Sequence, residues 1–229
     1  MNDDKSWPFR HEWKHEINVM DVFALRQRLR AVMKQDPHVK DGSYLIRSLY
    51  FDNLQDKCLR EKIDGVNHRE KYRIRFYNND PSFICLEKKM KHGDLCCKLQ
   101  ERVTQAEVER LMAGDLAWMR DGSRPLVSEL YRDMTVKGLR PKTIVEYTRE
   151  PFIYGPGNVR VTIDENIRTG LFRTDFLHAD VPVIEVPDAP TILEVKWDAY
   201  LPDIIRDIVQ VPNRRAGAFS KYAACRSYD

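Results

Sequence analysis

The sequence predicts an α+β protein: a closed antiparallel β-barrel of about eight strands, its interior a basic tunnel, with helices packed outside. Three observations lead there. A series of segments alternates apolar and polar residues at the period of a strand. Their polar faces carry rows of Lys and Arg, while their opposite faces carry Ile74, Phe76, Leu86, Val161 and Leu193, which need a packing layer. A smaller set of helical stripes can supply that layer.

Along the chain, residues 9–19 alternate first, with Arg10, Glu12, Lys14 and Glu16 on one face. Asp21 can cap a helix that lines up Val22, Leu25, Leu29 and Val32. Residues 43–52 form the second strand. Strict alternation there groups Arg47 with Leu45, Leu49 and Phe51, so either the strand carries a bulge or Arg47 lies near its end. In HREKYRIRFY, at 68–77, Arg69, Lys71, Arg73, Arg75 and Tyr77 point one way, and His68, Glu70, Tyr72, Ile74 and Phe76 the other. Residues 82–91 add Glu87, Lys89 and Lys91, and 94–103 add Lys98, Gln100 and Arg102. The Gly between them, Gly93, joins these two strands as a hairpin. Thr104 and Glu107 fit a capping box ahead of Val108, Leu111 and Met112, and 126–136 is a further helix. Residues 143–154 place Tyr147 and Arg149 on the polar face, 158–167 place Arg160, Thr162 and Asp164, and 191–198 place Glu194, Lys196 and Asp198. Helices at 202–209 and 219–225 complete the set.

The 229 residues show no repeat, low-complexity tract or linker, so one domain over 1–229 is the default. A net charge of +3 does not announce a nucleic-acid or membrane binder, and any electrostatic feature must come from arrangement. The five cysteines include no C-x-x-C pair, which argues against a disulfide framework and a Cys-rich zinc site. Reduced thiols, no signal peptide and no long apolar run point to a cytoplasmic protein with no transmembrane segment of its own.

Each cationic strand taken alone fits a sheet with one face in water. Taken together, with helices over the apolar faces, they turn inward if the sheet closes. Isolated charges in an enclosed space cost several kcal/mol each, about enough to demand a dense polyanion as partner. The Glu and Asp among them suggest a metal ion as well. The chain has no G-x-x-x-x-G-K-[ST], so side chains must do the work of a P-loop. Nucleic acid is a poor partner, because a tunnel excludes a duplex and the basic faces offer few stacking aromatics.

In order, the chain carries R10-H-E12-W-K14, I46-R47-S48-L49-Y50-F51-D52, Y72-R73-I74-R75-F76-Y77, L86-E87-K88-K89-M90-K91, V159-R160-V161-T162-I163-D164, I192-L193-E194-V195-K196 and F219-S220-K221-Y222. This series resembles the VTC domain, the polyphosphate polymerase module of the CYTH, or triphosphate tunnel, superfamily. The resemblance implies transfer of the γ-phosphate of ATP onto a growing polyphosphate chain, with Mn²⁺ or Mg²⁺ as cofactor and pyrophosphate or polyphosphate as acceptor. It implies catalytic roles for Lys14, Arg73, Arg75, Lys89, Arg160, Lys196 and Lys221. Arg47, Lys98 and Arg149 would bind phosphate, and Glu194 would hold the metal; Arg10 and Lys91, on the same charged faces, are further candidate phosphate contacts, and Glu12, which shares its face with Lys14, is a candidate second metal ligand. The hydrolytic branch of the superfamily opens with E-x-E-x-K. Here Arg10 takes the first carboxylate position, which removes a hard oxygen ligand and argues mildly against the alternative of a triphosphatase. The other alternative is a non-catalytic polyphosphate receptor. If the product crosses a membrane, a separate membrane partner must move it, with this chain recruited to the inner face.

Overall fold

The computed structural model describes residues 9–39 and 41–228. In chain order the elements are β1 (Arg10–Ile17), α1 (Val19–Val32), β2 (Lys34–Gln35), β3 (Tyr44–Asp52), α2 (Lys57–Ile63), β4 (His68–Tyr77), β5 (Asp80–His92) and β6 (Leu95–Val103). They continue with α3 (Gln105–Met112), α4 (Pro125–Val136), β7 (Arg140–Tyr154), β8 (Val159–Thr169), β9 (Ile184–Glu185), β10 (Thr191–Trp197), α5 (Asp203–Ile208) and α6 (Lys221–Arg226).

Strand order β7-β3-β4-β5-β6-β1-β10-β8 returns to β7 through a β7–β8 pairing, so eight antiparallel strands close into a barrel. Closure removes the unpaired edges that an open sheet of this size would expose. The two-residue strands β2 and β9 extend β7 and β8 at the rim. β5 and β6 pair as the expected hairpin, from Ile84↔Val103 to His92↔Leu95.

Two helical layers cover the apolar outside. α3 and α4 bury Val108, Leu111, Leu126, Val127, Leu130 and Met134 against Ile74, Phe76, Ile84 and Leu86 of β4 and β5. α1 and α5 bury Val22, Leu25, Leu29 and Ile205 against Val161, Ile163, Leu193 and Val195 of β8 and β10. Full burial of each such Leu or Ile contributes about 1.5–3 kcal/mol. These are the faces that alternation assigns to the outside.

α6 sits differently. Its Tyr222 and Cys225 pack with Ile46, Tyr50, Val145 and Tyr147, which share the inward side of β3 and β7. The Tyr222 hydroxyl donates to Asp52 at 2.7 Å, and its ring stacks on Tyr50. The same Asp52 carboxylate accepts the backbone N–H groups of Cys58 and Leu59 at 2.9 and 3.2 Å, which tethers the start of α2. Thus α2 and α6 are held together across the barrel mouth by one buried carboxylate.

Two local expectations need correction. The N-cap of α1 is Asn18, and Asp21 is the third helical residue whose carboxylate reaches back to the Asn18 N–H at 2.9 Å. Both members of a capping box are cap-competent, and the register of Val22, Leu25 and Leu29 selects Asn18. Arg47 lies on the outer side of β3, as strict alternation puts it. The register shift in this strand falls between Tyr50 and Phe51, beyond Arg47, and does not turn it inward.

Candidate functional site

Strand register brings opposite charges side by side on the inner wall. Lys14 of β1 faces Glu194 of β10, and Glu12 faces Lys196. Arg73 of β4 faces Glu87 of β5, and Lys71 faces Lys89. Arg149 of β7 faces Asp164 of β8. Cross-strand neighbours lie close enough for their side chains to interact, so the pairing pattern itself writes the ion-pair network.

That network has three centres. Glu12 takes Lys14 at 2.5 Å, Lys89 at 2.9 Å and Lys196 at 3.3 Å, while Glu194 bonds to Lys196 and lies 3.7 Å from Lys14 and 3.9 Å from Arg149. Asp164 accepts two bonds from Arg149, at 2.6 and 2.7 Å, and one from Lys221 of α6 at 2.6 Å. Glu87 takes Arg73 at 2.6 Å and Lys98 at 3.2 Å, with Arg75 at 3.8 Å. Tyrosines complete the wall: Arg73 donates to the Tyr50 hydroxyl at 2.8 Å, and Arg75 to Tyr147 at 3.0 Å and Ser48 at 3.2 Å.

Burial pushes the carboxyl groups of Glu12, Glu87 and Glu194 upward, but surrounding cations win. Lys89, Lys196 and Lys14 hold Glu12 well below the usual carboxylate range, against the neighbouring charge of Glu194. Arg73, Arg75 and Lys98 do the same for Glu87, and Lys196, Lys14, Arg149 and Lys89 for Glu194. Asp164 is lowered by Arg149 and Lys221. All four are therefore ionised at neutral pH. Around these four stand the cations Lys14, Lys71, Arg73, Arg75, Lys89, Arg149, Lys196 and Lys221, with Lys62, Arg69 and Lys91 lining the lumen beside them. The wall keeps a surplus of positive charge in a confined space, which is the condition for capturing a polyanion.

The lumen has two compartments that share part of their lining. One, about 90 Å³ and partly open to solvent, is lined by Glu12, Lys62, Arg69, Glu70, Lys91 and Cys96. The other is lined by Arg73, Arg149, Glu194, Lys196, Lys221 and Tyr147. Lys14, Lys71, Lys89, Phe219 and Ser220 line both.

The structure thus brings Lys14, Arg73, Arg75, Lys89, Arg149, Lys196, Lys221, Glu12 and Glu194 into one interior, with Lys91 in the outer compartment. Lys98 reaches Glu87 from a half-exposed position on β6. Arg160 faces inward on β8 but is bonded to Asp36 at 2.9 Å and to the Tyr44 hydroxyl at 2.8 Å. Arg10 is tied at the rim to Asp198 at 2.6 Å and to the Asn158 carbonyl. Arg47 does not join them: it is bonded to Glu146 at 2.9 Å and to the carbonyls of His178 and Ala179, over the outer ring of Phe76. A guanidinium so fully used on the outer face braces the 178–179 loop and does not reach the tunnel. Lys71, Glu87 and Tyr147, which alternation puts on the polar faces, and Tyr50 are wall residues to which sequence reasoning gave no role. For Lys71 the signal was present, since it shares the inward face of β4 with Arg73 and Arg75.

Among the described residues, no group of three or more His, Cys, Asp or Glu gathers as a metal cage. Glu12 and Glu194 instead form a pair of ionised hard-oxygen donors beside the lumen. Such a pair fits a cation of the Mg²⁺ type, which takes one or two carboxylates and completes its shell with phosphate oxygens and water.

A family model for the VTC domain matches residues 9–228. The chain belongs to the VTC domain family. This VTC domain is thereby a tunnel protein related to polyphosphate, and its fold extends beyond the family. A Bacillus halodurans protein described as a candidate adenylate cyclase superposes with a TM-score of 0.51 at 12% identity, over 90% of this chain and 95% of that one. A Pyrococcus horikoshii OT3 protein gives 0.44 at 14% identity, over 87% and 84%. At 12% identity the likeness to the Bacillus halodurans protein speaks for the fold alone. No curated protein matches the sequence. Among the described residues of the VTC domain, no helix is long and apolar enough to cross a membrane.

Proposed function

We propose that this VTC domain is an ATP-dependent polyphosphate polymerase that transfers the γ-phosphate of ATP to a growing polyphosphate chain. The observation that carries the reading is the surplus of inward cations over carboxylates inside a closed barrel. Phosphoryl transfer asks for alignment and charge stabilisation more than for covalent chemistry. Arg73, Arg75 and Arg149 present planar forks suited to two-point contact with phosphate. Each is already oriented by Glu87, Asp164 or a tyrosine, so little side-chain freedom is lost when an oxyanion arrives. Lys14 and Lys89 act as point charges between the compartments, and Lys196 as one within the second. Mn²⁺ or Mg²⁺ held by Glu194 with Glu12 would neutralise charge on the phosphate oxygens as a Lewis acid.

The donor triphosphate and the acceptor chain occupy the two compartments, and the acceptor's terminal phosphate oxygen attacks the γ-phosphorus in line. The bond to the β-phosphate oxygen breaks, ADP leaves, and the chain grows by one unit. No side chain becomes covalently attached.

Incubation with ATP and Mn²⁺, read by chain length on a gel, tests the proposal. Long polymers support it. Orthophosphate alone would assign a triphosphatase, and polyphosphate binding without turnover a receptor.

A further inference from the structure

Of the three lysines that line both compartments, Lys14 and Lys89 are neutralised by Glu12. Lys71 is not. Among the described residues it has no carboxylate within ion-pair distance and no hydrogen-bond acceptor. Its ammonium stands 5.3 Å from the Tyr50 ring centroid and 6.0 Å from that of Tyr222. Lys89 lies directly across the β4–β5 pairing, and Arg73 is the next inward residue on the same strand. Lys14 of β1 and Cys58 of α2 complete its surroundings.

We propose that Lys71 is a phosphate-contacting residue of the tunnel, engaging the oxyanion of a linear oligophosphate where the two compartments meet. This rests on the reading of the tunnel as an oligophosphate site. An ammonium hemmed in by like charges and two aromatic faces has shed water without gaining an anion. The π faces of Tyr50 and Tyr222 fix its position but cannot cancel its charge. An entering phosphate oxygen is therefore the missing partner, and because Lys71 belongs to both compartments it meets the phosphate that spans them.

The electrostatics supply a signature that a structural role would not give. Burial, then Lys89, Arg73 and Lys14, pull the Lys71 ammonium down to about 8, with Tyr50 acting in the opposite sense. A bound oxyanion raises that value again. The contribution of Lys71 to affinity is thus level while it is protonated in the free protein and is lost as the pH climbs past about 8. Tyr50 contributes in the same direction. Burial pushes its hydroxyl up, but Arg73, Lys71 and Arg75 bring it down to about 7, and its ionisation adds a negative charge to the wall. Three further facing groups lie outside this window: burial pushes the Cys58 thiol up to about 12, burial and Asp52 raise Tyr222, and the Arg73 guanidinium stays charged. Glu12 holds Lys89 protonated in spite of burial.

The test is calorimetry with sodium tripolyphosphate, without divalent metal, at about pH 6.5 and about pH 9, on either side of the Lys71 and Tyr50 transitions. Lys71→Met should bind about tenfold or more weakly than the unmodified protein at the lower pH, the loss expected for one charged hydrogen bond. Lys71→Arg, placed in a Tyr50→Phe background, should keep the affinity and flatten the alkaline loss, because a guanidinium does not titrate there. Arg132→Ala, on the outer face of α4, should change nothing. Should Lys71→Met fail to fold by circular dichroism, the Arg variant carries the test. Full affinity in folded Lys71→Met, or an undiminished alkaline loss in the Arg–Phe double variant, overturns this inference alone. Absence of binding by the unmodified protein overturns it together with the tunnel reading.

Discussion

Replacing Glu87 by Gln removes one negative charge and keeps the side chain's shape. The Glu87 side chain is 2% exposed and receives Arg73 at 2.6 Å, with Lys98 at 3.2 Å and Arg75 at 3.8 Å. The change leaves two buried guanidinium groups without their counter-charge. Breaking a buried pair by removing one partner costs about 3–5 kcal/mol. The Gln carbonyl still accepts a hydrogen bond, which puts the expected loss near the lower end, about 3 kcal/mol. In a chain of this size each kcal/mol lowers Tm by about 2–4 °C, so the variant should melt about 6–12 °C lower. The pH dependence has a definite sign. Burial raises the Glu87 carboxyl, but Arg73, Arg75 and Lys98 hold it well below its ordinary value. Its stabilisation is complete above the unfolded carboxyl value of about 4.3 and disappears as the pH drops through the depressed folded value. The Tm gap should therefore be constant from about pH 5 upward and close only in acid. Tripolyphosphate should narrow the gap at neutral pH by supplying the missing charge. Thermal unfolding followed by circular dichroism reads all three effects. A variant melting within about 2 °C of the parent without ligand would refute the claim that Glu87 neutralises these arginines.

Arg73→Ala and Glu194→Gln should each lower polymer synthesis from ATP and Mn²⁺ by about a hundredfold or more, the scale for losing one electrostatic donor, and near-normal turnover in both would remove the assigned roles. Because Glu12 and Glu194 are held well below the ordinary carboxylate range, activity should not be limited by their protonation down to about pH 5. A pH–rate profile with a carboxylate limb above about pH 6 would contradict that electrostatic picture. Gly157→Ala should destabilise by about 1–3 kcal/mol in denaturant titration, since φ is +72° there and an added Cβ would meet the Tyr200 carbonyl at 2.5 Å. An unchanged midpoint would show that the turn between β7 and β8 can shift.

Most barrel strands were legible because they put apolar residues on one face and charge on the other, and a period of two leaves little room for another assignment; β3, buried on both faces, was the exception. HREKYRIRFY folds as the strand His68–Tyr77, with Tyr72, Ile74 and Phe76 outward. α2 was not legible: it spans only seven residues, buries none of them fully, and its left-handed N-cap residue Asp56 gives no side-chain cap, its first N–H groups being taken instead by Asp52 and Asn53 upstream. The inward seat of α6 was also hidden, since Tyr222 and Cys225 suit either side of a barrel wall and only tertiary packing decides. For the site, the inward cations followed from alternation, while their carboxylate partners depended on register. Glu87 becomes the counter-ion of Arg73 only because β4 and β5 pair Arg73 with Glu87, and a slip of one residue would put Lys88 or Leu86 there. Arg47 shows the opposite case. Motif resemblance drew it toward phosphate, and plain alternation placed it correctly on the apolar face with Leu49 and Phe51.

The most direct measurement is a crystal structure of the protein grown with tripolyphosphate. Phosphate density inside the barrel, bracketed by Lys14, Arg73, Lys89 and Lys196, is the expected result. Tripolyphosphate bound only on the outer surface, with the lumen closed by its own ion pairs, would contradict it.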